Sequence, residues 1–205
     1  THTNEDPIDG GFIKYNAKEL IDYAASKKFE ILSITCHNKV VFDEELRQYA
    51  LKKNILLIPG VEKTIHGKHV LIYNTTQKEI GKINSFKSLQ KLKDKKPILV
   101  IAPHPYFLLN NCLKNKIIKY LNLFDVWEFS FFYSKLINKN KKMLRLAKKY
   151  NKPIIGCSDT HHLFYLEQTH SIINSKKNIQ AIFRAIKNKQ TNIIWLIQVF
   201  LHMHP

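Results

Sequence analysis

Five side chains able to bind divalent metal ions each follow a short, β-branched apolar run. His37 comes after residues 31–35, and Glu62 comes after residues 55–58 by way of Pro59 and Gly60. His104 comes after residues 98–102, and Asp159 with His161 after residues 153–157. A lone histidine is more often a structural or surface residue than a ligand. Five histidines, two aspartates and one glutamate at or near the ends of successive units are a different matter. Imidazole and carboxylate brought to one place suit hard-to-borderline divalent ions.

Such a cluster needs a scaffold that gathers strand ends. Apolar runs at 31–35, 55–58, 69–73, 98–102, 125–129, 153–157 and 171–173 predict strands. Amphipathic stretches at 16–28, 42–53, 85–95, 114–123, 134–150 and 178–187 predict helices. Asn16, with Glu19 three residues on, reads as a capping box. Alternating strands and helices predict an α/β fold of parallel βα units in a single domain, residues 1–190, with an apolar C-terminal segment at 191–205. In a βα barrel the loops after the strands converge on one face, which is where function is built.

The sequence resembles the PHP (polymerase and histidinol phosphatase) superfamily. Thr1, His2 and Thr3 look like the end of its HxHT motif, and Asp9 with Gly10 like the acidic-glycine pair that follows. The stretch Thr35, Cys36, His37, Asn38 is similar to T-D-H-N, and Pro59, Gly60, Val61, Glu62 to P-G-x-E. His69, Val70 and Leu71 match H-[VL]-L, and Ala102 to Pro105 resembles A-H-P. Gly156 to His161 resembles the closing G-S-D-x-H. Each match is short, but together they run in family order along nearly the whole chain.

The resemblance implies a distorted seven-stranded βα barrel like a TIM barrel, holding two or three divalent ions, commonly zinc, manganese or iron. It implies His2, Asp9, His37, Glu62, His69, His104, Asp159 and His161 as ligands, with Glu62 bridging two ions. The residue before Thr1 would be a ninth ligand, on a strand expected upstream. Glu62, Asp159 and His161 are the implied catalytic residues. The implied activity is phosphoesterase: hydrolysis of a phosphomonoester or phosphodiester of a small metabolite, nucleotide or short oligonucleotide by metal-activated hydroxide. Alternatives are a histidinol-phosphate phosphatase and a catalytically lapsed, basic nucleic-acid-binding module.

Two departures from the family pattern matter. Cys36 stands where the family usually has Asp, at a position expected to orient a ligand, and Glu128 is expected to support the site in the same way. The spacing from His2 to Asp9 is long, so Asp6 or Glu5 is an alternative ligand. Lys63, Lys135, Arg145 and Arg184 are candidates for holding an anionic substrate.

The formal net charge of +17 fits an anionic substrate, and weak nucleic-acid binding would follow from the same charge. The lysines are spread over several segments, so the charge does not identify a partner. Three cysteines without CxxC spacing argue against a disulfide framework and for a reducing, cytoplasmic setting. The apolar stretch 193–203 is too short to span a bilayer, so no membrane association is expected.

Overall fold

The structure is a computed structural model, and it describes residues 1–130, 138 and 140–195. Lys135, the first part of the helix expected from residue 134, and the apolar tail beyond residue 195 lie outside the described residues.

Helix α1 (Ala17–Ser26) starts at the expected capping box. The Asn16 side chain accepts from the Glu19 amide, and the Glu19 side chain accepts from the Asn16 amide. Its buried face, Ala17, Leu20, Ile21 and Ala24, packs with α2 (Glu44–Lys52) over the parallel pair β1 (Ile31–Leu32) and β2 (Leu56–Leu57).

The central sheet runs β3 (Gly60–Ile65), β4 (Lys68–Tyr73), β5 (Leu99–Ala102), β6 (Val126–Ser130), β7 (Ile154–Cys157). β5, β6 and β7 are parallel, whereas β4 is antiparallel to both its neighbours. The expected all-parallel arrangement therefore fails at β4. The cause is a tight hairpin at His66 and Gly67, both with positive φ (49° and 69°), the backbone that a two-residue primed turn requires. β4 thus returns beside β3 with no crossover helix.

The expected seven-stranded barrel also needs correction. Among the described residues the main sheet has five strands and its ladder does not close; β8 (Thr169–Ile173) and β9 (Thr191–Trp195) form a separate antiparallel pair. A few backbone hydrogen bonds outside the strand ladders span the space between β7 and β3. The amide of His2 donates to Thr160 O, that of Thr35 to Thr1 O, and that of Asn38 to Glu62 O. These bonds bring residues 1–3, 35–38, 62 and 158–160 to one end of the sheet.

One face of the sheet carries Val61, Val70, Ile72, Val100 and Trp127 against α4 (Phe86–Lys95) and α6 (Asn140–Lys149). The other carries Leu71, Leu99, Ile101, Val126 and Ile155 against α7 (Ile179–Lys187). Glu62, His69 and Glu128 alternate onto this second face, so each strand buries aliphatic side chains and then presents a ligand-type residue. The short helices α3 (Gln77–Ile80) and α5 (Lys116–Lys119) and a 3₁₀ turn at Leu163–Tyr165 complete the described elements, α5 being one turn where ten residues of helix were expected.

Candidate metal centre

All eight expected ligand residues meet in one cluster. Glu62, 2 % exposed, lies at its middle. Its Oε2 is 3.2 Å from His2 Nε2 and 3.7 Å from His37 Nε2; its Oε1 is 2.6 Å from His69 Nδ1 and 3.5 Å from His104 Nε2. Asp159 Oδ1 lies 3.2 Å from His2 Nε2, and Asp9 Oδ2 lies 3.3 Å from His161 Nε2 and 3.4 Å from His37 Nδ1. The ring of His2 stacks between those of His37 and His161, at centroid distances of 4.6 and 4.5 Å.

Three sets of ligand atoms converge within 4.8 Å: His2, Asp6, Asp9 and His37; His2, Asp159 and His161; and His37, Glu62 and His69. The donor set fits divalent cations on another count. Glu62 Oε1 is buried without a hydrogen bond of acceptable geometry, although His69 Nδ1 is only 2.6 Å away. A nitrogen that close but poorly aligned for donation is a contact that a cation between or beside the two groups would satisfy.

Asp6, expected only as an alternative, is more deeply set than Asp9. Its Oδ1 accepts from the amides of Ile8 and Asp9, which forms the turn. Its Oδ2 is left to meet His2 Nδ1 at 2.7 Å, His37 Nδ1 at 3.0 Å and the His37 amide at 2.7 Å. Glu5 turns away and accepts from the Ala17 amide at the start of α1. Cys36 places its sulfur 3.4 Å from the Thr3 hydroxyl, while Asp6 supports the rings of His2 and His37.

Both His104 and Asp159 adopt left-handed backbone, with φ of 27° and 47°, at a cost of about 1–3 kcal/mol each. Glu128 pins the first of these, its Oε2 accepting from the His104 amide at 2.7 Å. Burial pushes the Glu128 carboxyl up to about 8.

Protonation within the cluster follows its crowding. Burial disfavours a charged imidazole at His2, yet Asp159, Asp6 and Glu62 around it hold its pKa well above the usual range. At His104 burial is likewise outweighed, there by Cys112 and Glu62. Burial opposes the charge of Glu62, but His104, His2 and His69 hold it well below the usual carboxylate range. Asp159, also against burial, is held at about 2 by His2. Protons on imidazoles thus balance neighbouring carboxylates, a role that bound cations take over as they displace those protons. Asp9 and His161 are the exposed members, with side-chain exposures of 31 % and 35 %, so the cluster opens to solvent on their side.

Of the basic candidates, Lys63, Arg145 and Arg184 are not gathered here. Strand alternation puts Lys63 on the face of Val61 and Ile65, opposite Glu62. Arg145 and Arg184 are exposed on α6 and α7, and neither makes a hydrogen bond or ion pair with the cluster among the described residues. His66 serves the β3–β4 turn, and His170 packs edge-on against Phe29.

Comparison with known proteins defines the fold class. The chain is similar to part of a two-domain protein containing a predicted PHP-like metal-dependent phosphoesterase from Bacteroides vulgatus (TM-score 0.73, 16 % identity). That match covers 95 % of this chain and 63 % of the other, so the chain spans less than two thirds of that protein's length. It is similar to PsfC from Pseudomonas syringae (TM-score 0.63, 13 % identity, 87 % of this chain and 82 % of the other). It also resembles an amidohydrolase from Chromobacterium violaceum (TM-score 0.60, 12 % identity, 78 % and 86 %). No curated protein matches the sequence. Residues 138–191, from two residues before α6 to the first residue of β9, match the model of the PHP-associated family. That match covers a minority of the chain, and the likeness to solved structures is one of fold.

Proposed function

We propose that this chain is a metal-dependent phosphoesterase that hydrolyses a phosphomonoester or phosphodiester of a small metabolite, nucleotide or short oligonucleotide. The observation that carries the reading is the buried Glu62 carboxylate, with imidazole nitrogens against both of its oxygens.

Two or three divalent ions, of zinc, manganese or iron, would be held by His2, Asp9, His37, Asp159 and His161 on one side and by Glu62, His69 and His104 on the other, with Asp6 behind the rings of His2 and His37. Bound ions of this kind neutralise phosphoryl oxygens and lower the pKa of water so that hydroxide exists near neutrality. The residues themselves do the rest. Glu62 links the two sides, and its burial keeps it ionised only while cations or protonated imidazoles face it. Asp159, ionised near neutrality, sits beside His2 and is placed to hold or pass a proton. His161, on the open side, is positioned to meet an incoming ester.

The test is hydrolysis of a panel of phosphomonoesters and phosphodiesters by protein loaded with Mn²⁺ or Zn²⁺, alongside Glu62→Ala. Wild-type turnover that falls more than about 100-fold in the variant, beyond what loss of a mere supporting residue costs, supports the reading. Equal turnover in the two proteins overturns it.

A further inference from the structure

Two consecutive residues of the loop after β5 contact the imidazoles on the Oε1 side of Glu62. The Cys112 sulfur lies 3.2 Å from His104 Nδ1, and Cys112 is 1 % exposed. The thiol is directed to Asn111 Oδ1 at 3.8 Å. The Asn111 backbone oxygen accepts from the His69 amide at 2.9 Å, and its Nδ2 lies 3.4 Å from His69 Nδ1 and 3.3 Å from His69 Nε2. The loop is itself anchored, because the Lys68 ammonium donates to Asn110 O and the Lys114 amide to Pro105 O.

We propose that Cys112 is a positioning residue that fixes the tautomer of His104, and that Asn111 couples this contact to His69. The inference rests on the reading of the cluster as a metal centre. His104 turns Nε2 toward Glu62 Oε1, so Nε2 must keep its lone pair free to bind a cation. The ring proton then belongs on Nδ1, where Cys112 Sγ is the acceptor within hydrogen-bond reach. A histidine ligand usually gives this second N–H to a carboxylate, a backbone carbonyl or water, and the partner sets ring orientation and ligand basicity. Here the partner is a thiol, a weak acceptor. Its own S–H, pointed at Asn111, leaves a sulfur lone pair facing the imidazole. The donors and acceptors run in one sense, from His104 Nδ1–H to sulfur and from sulfur to the Asn111 amide oxygen.

The test measures Mn²⁺ and Zn²⁺ binding by titration calorimetry for wild type, Cys112→Ser and Cys112→Ala, with thermal melts of the metal-free proteins as a control. Cys112→Ala is expected to weaken one class of site by about 10–100-fold. Cys112→Ser, whose hydroxyl can take the same N–H, is expected to restore most of that loss. A second readout needs no variant: ¹⁵N spectra of the zinc-loaded wild type should show His104 protonated at Nδ1 and metal-bound at Nε2. Wild-type affinity in Cys112→Ala, serine and alanine variants equally weak, or a His104 deprotonated at Nδ1 would each overturn the proposal. If wild type binds no metal, it is the metal-centre reading that fails.

Discussion

The two sides of Glu62 are built on different supports. On the Oε2 side the rings of His2 and His37 rest on carboxylates: Asp6 touches both at Nδ1, and Asp9 and Asp159 stand beside them. On the Oε1 side the rings of His69 and His104 rest on an amide and a thiol. A carboxylate behind an imidazole raises its basicity and adds negative charge near the cation, whereas an amide or thiol mainly orients it. The carboxylate side should therefore bind its cation more tightly, and the neutral side should exchange its cation more readily.

The largest effect that would break this asymmetry comes from Asp6. Asp6→Asn keeps the shape of the turn but removes the charge behind two rings, and it should cost the carboxylate side about 10–100-fold in metal affinity. The neutral side should change far less. Equilibrium dialysis that resolves the two classes of site checks this, and equal weakening of both would contradict the asymmetry.

A smaller effect is set by pH. His2 and His104 have raised pKa values in the metal-free fold. Their contribution to stability is full below the unfolded value and is lost as pH rises through the folded one. Glu62 and Asp159, held low, contribute above the unfolded carboxylate range and lose that contribution only in acid. Metal-free protein should therefore lose stability above neutrality, where the carboxylates face each other without imidazolium partners. Metal must displace the imidazole protons, so the gain in melting temperature on adding Mn²⁺ should widen as pH rises from 6 to 8. Melts in chelator and in metal across that range check the sign.

The smallest effects belong to the basic side chains. Lys63 faces away from Glu62, and Arg145 and Arg184 are exposed on helices. Alanine at each should change stability by less than about 0.5 kcal/mol and leave phosphoester turnover within about twofold, as measured by steady-state kinetics at fixed salt.

The difference between the two sides also tracks what the sequence reveals. His37, Glu62, His104, Asp159 and His161 were legible because each follows an apolar run, and strand alternation and strand ends dictate where such residues point. The capping box of α1 was legible because it is local. β4 was expected as a parallel strand because its apolar run is the same in either direction; the reversal lies in the φ values of His66 and Gly67. β3 was hidden because Pro59 and Gly60 punctuate it and Glu62 interrupts its apolar character. Asp6 was ambiguous among three acids within five residues until the turn committed its Oδ1 to two amides. The Asn111–Cys112 support left no trace in spacing, since it joins residues 42 positions apart for His69 and eight for His104.

The most direct test of the metal centre is anomalous diffraction from crystals of the protein loaded with Mn²⁺ or Zn²⁺. Two or more peaks are expected, at least one on each side of Glu62, with the stronger occupancy beside His2, Asp6 and His37. No peak at the cluster, or a single ion remote from Glu62, would contradict the account.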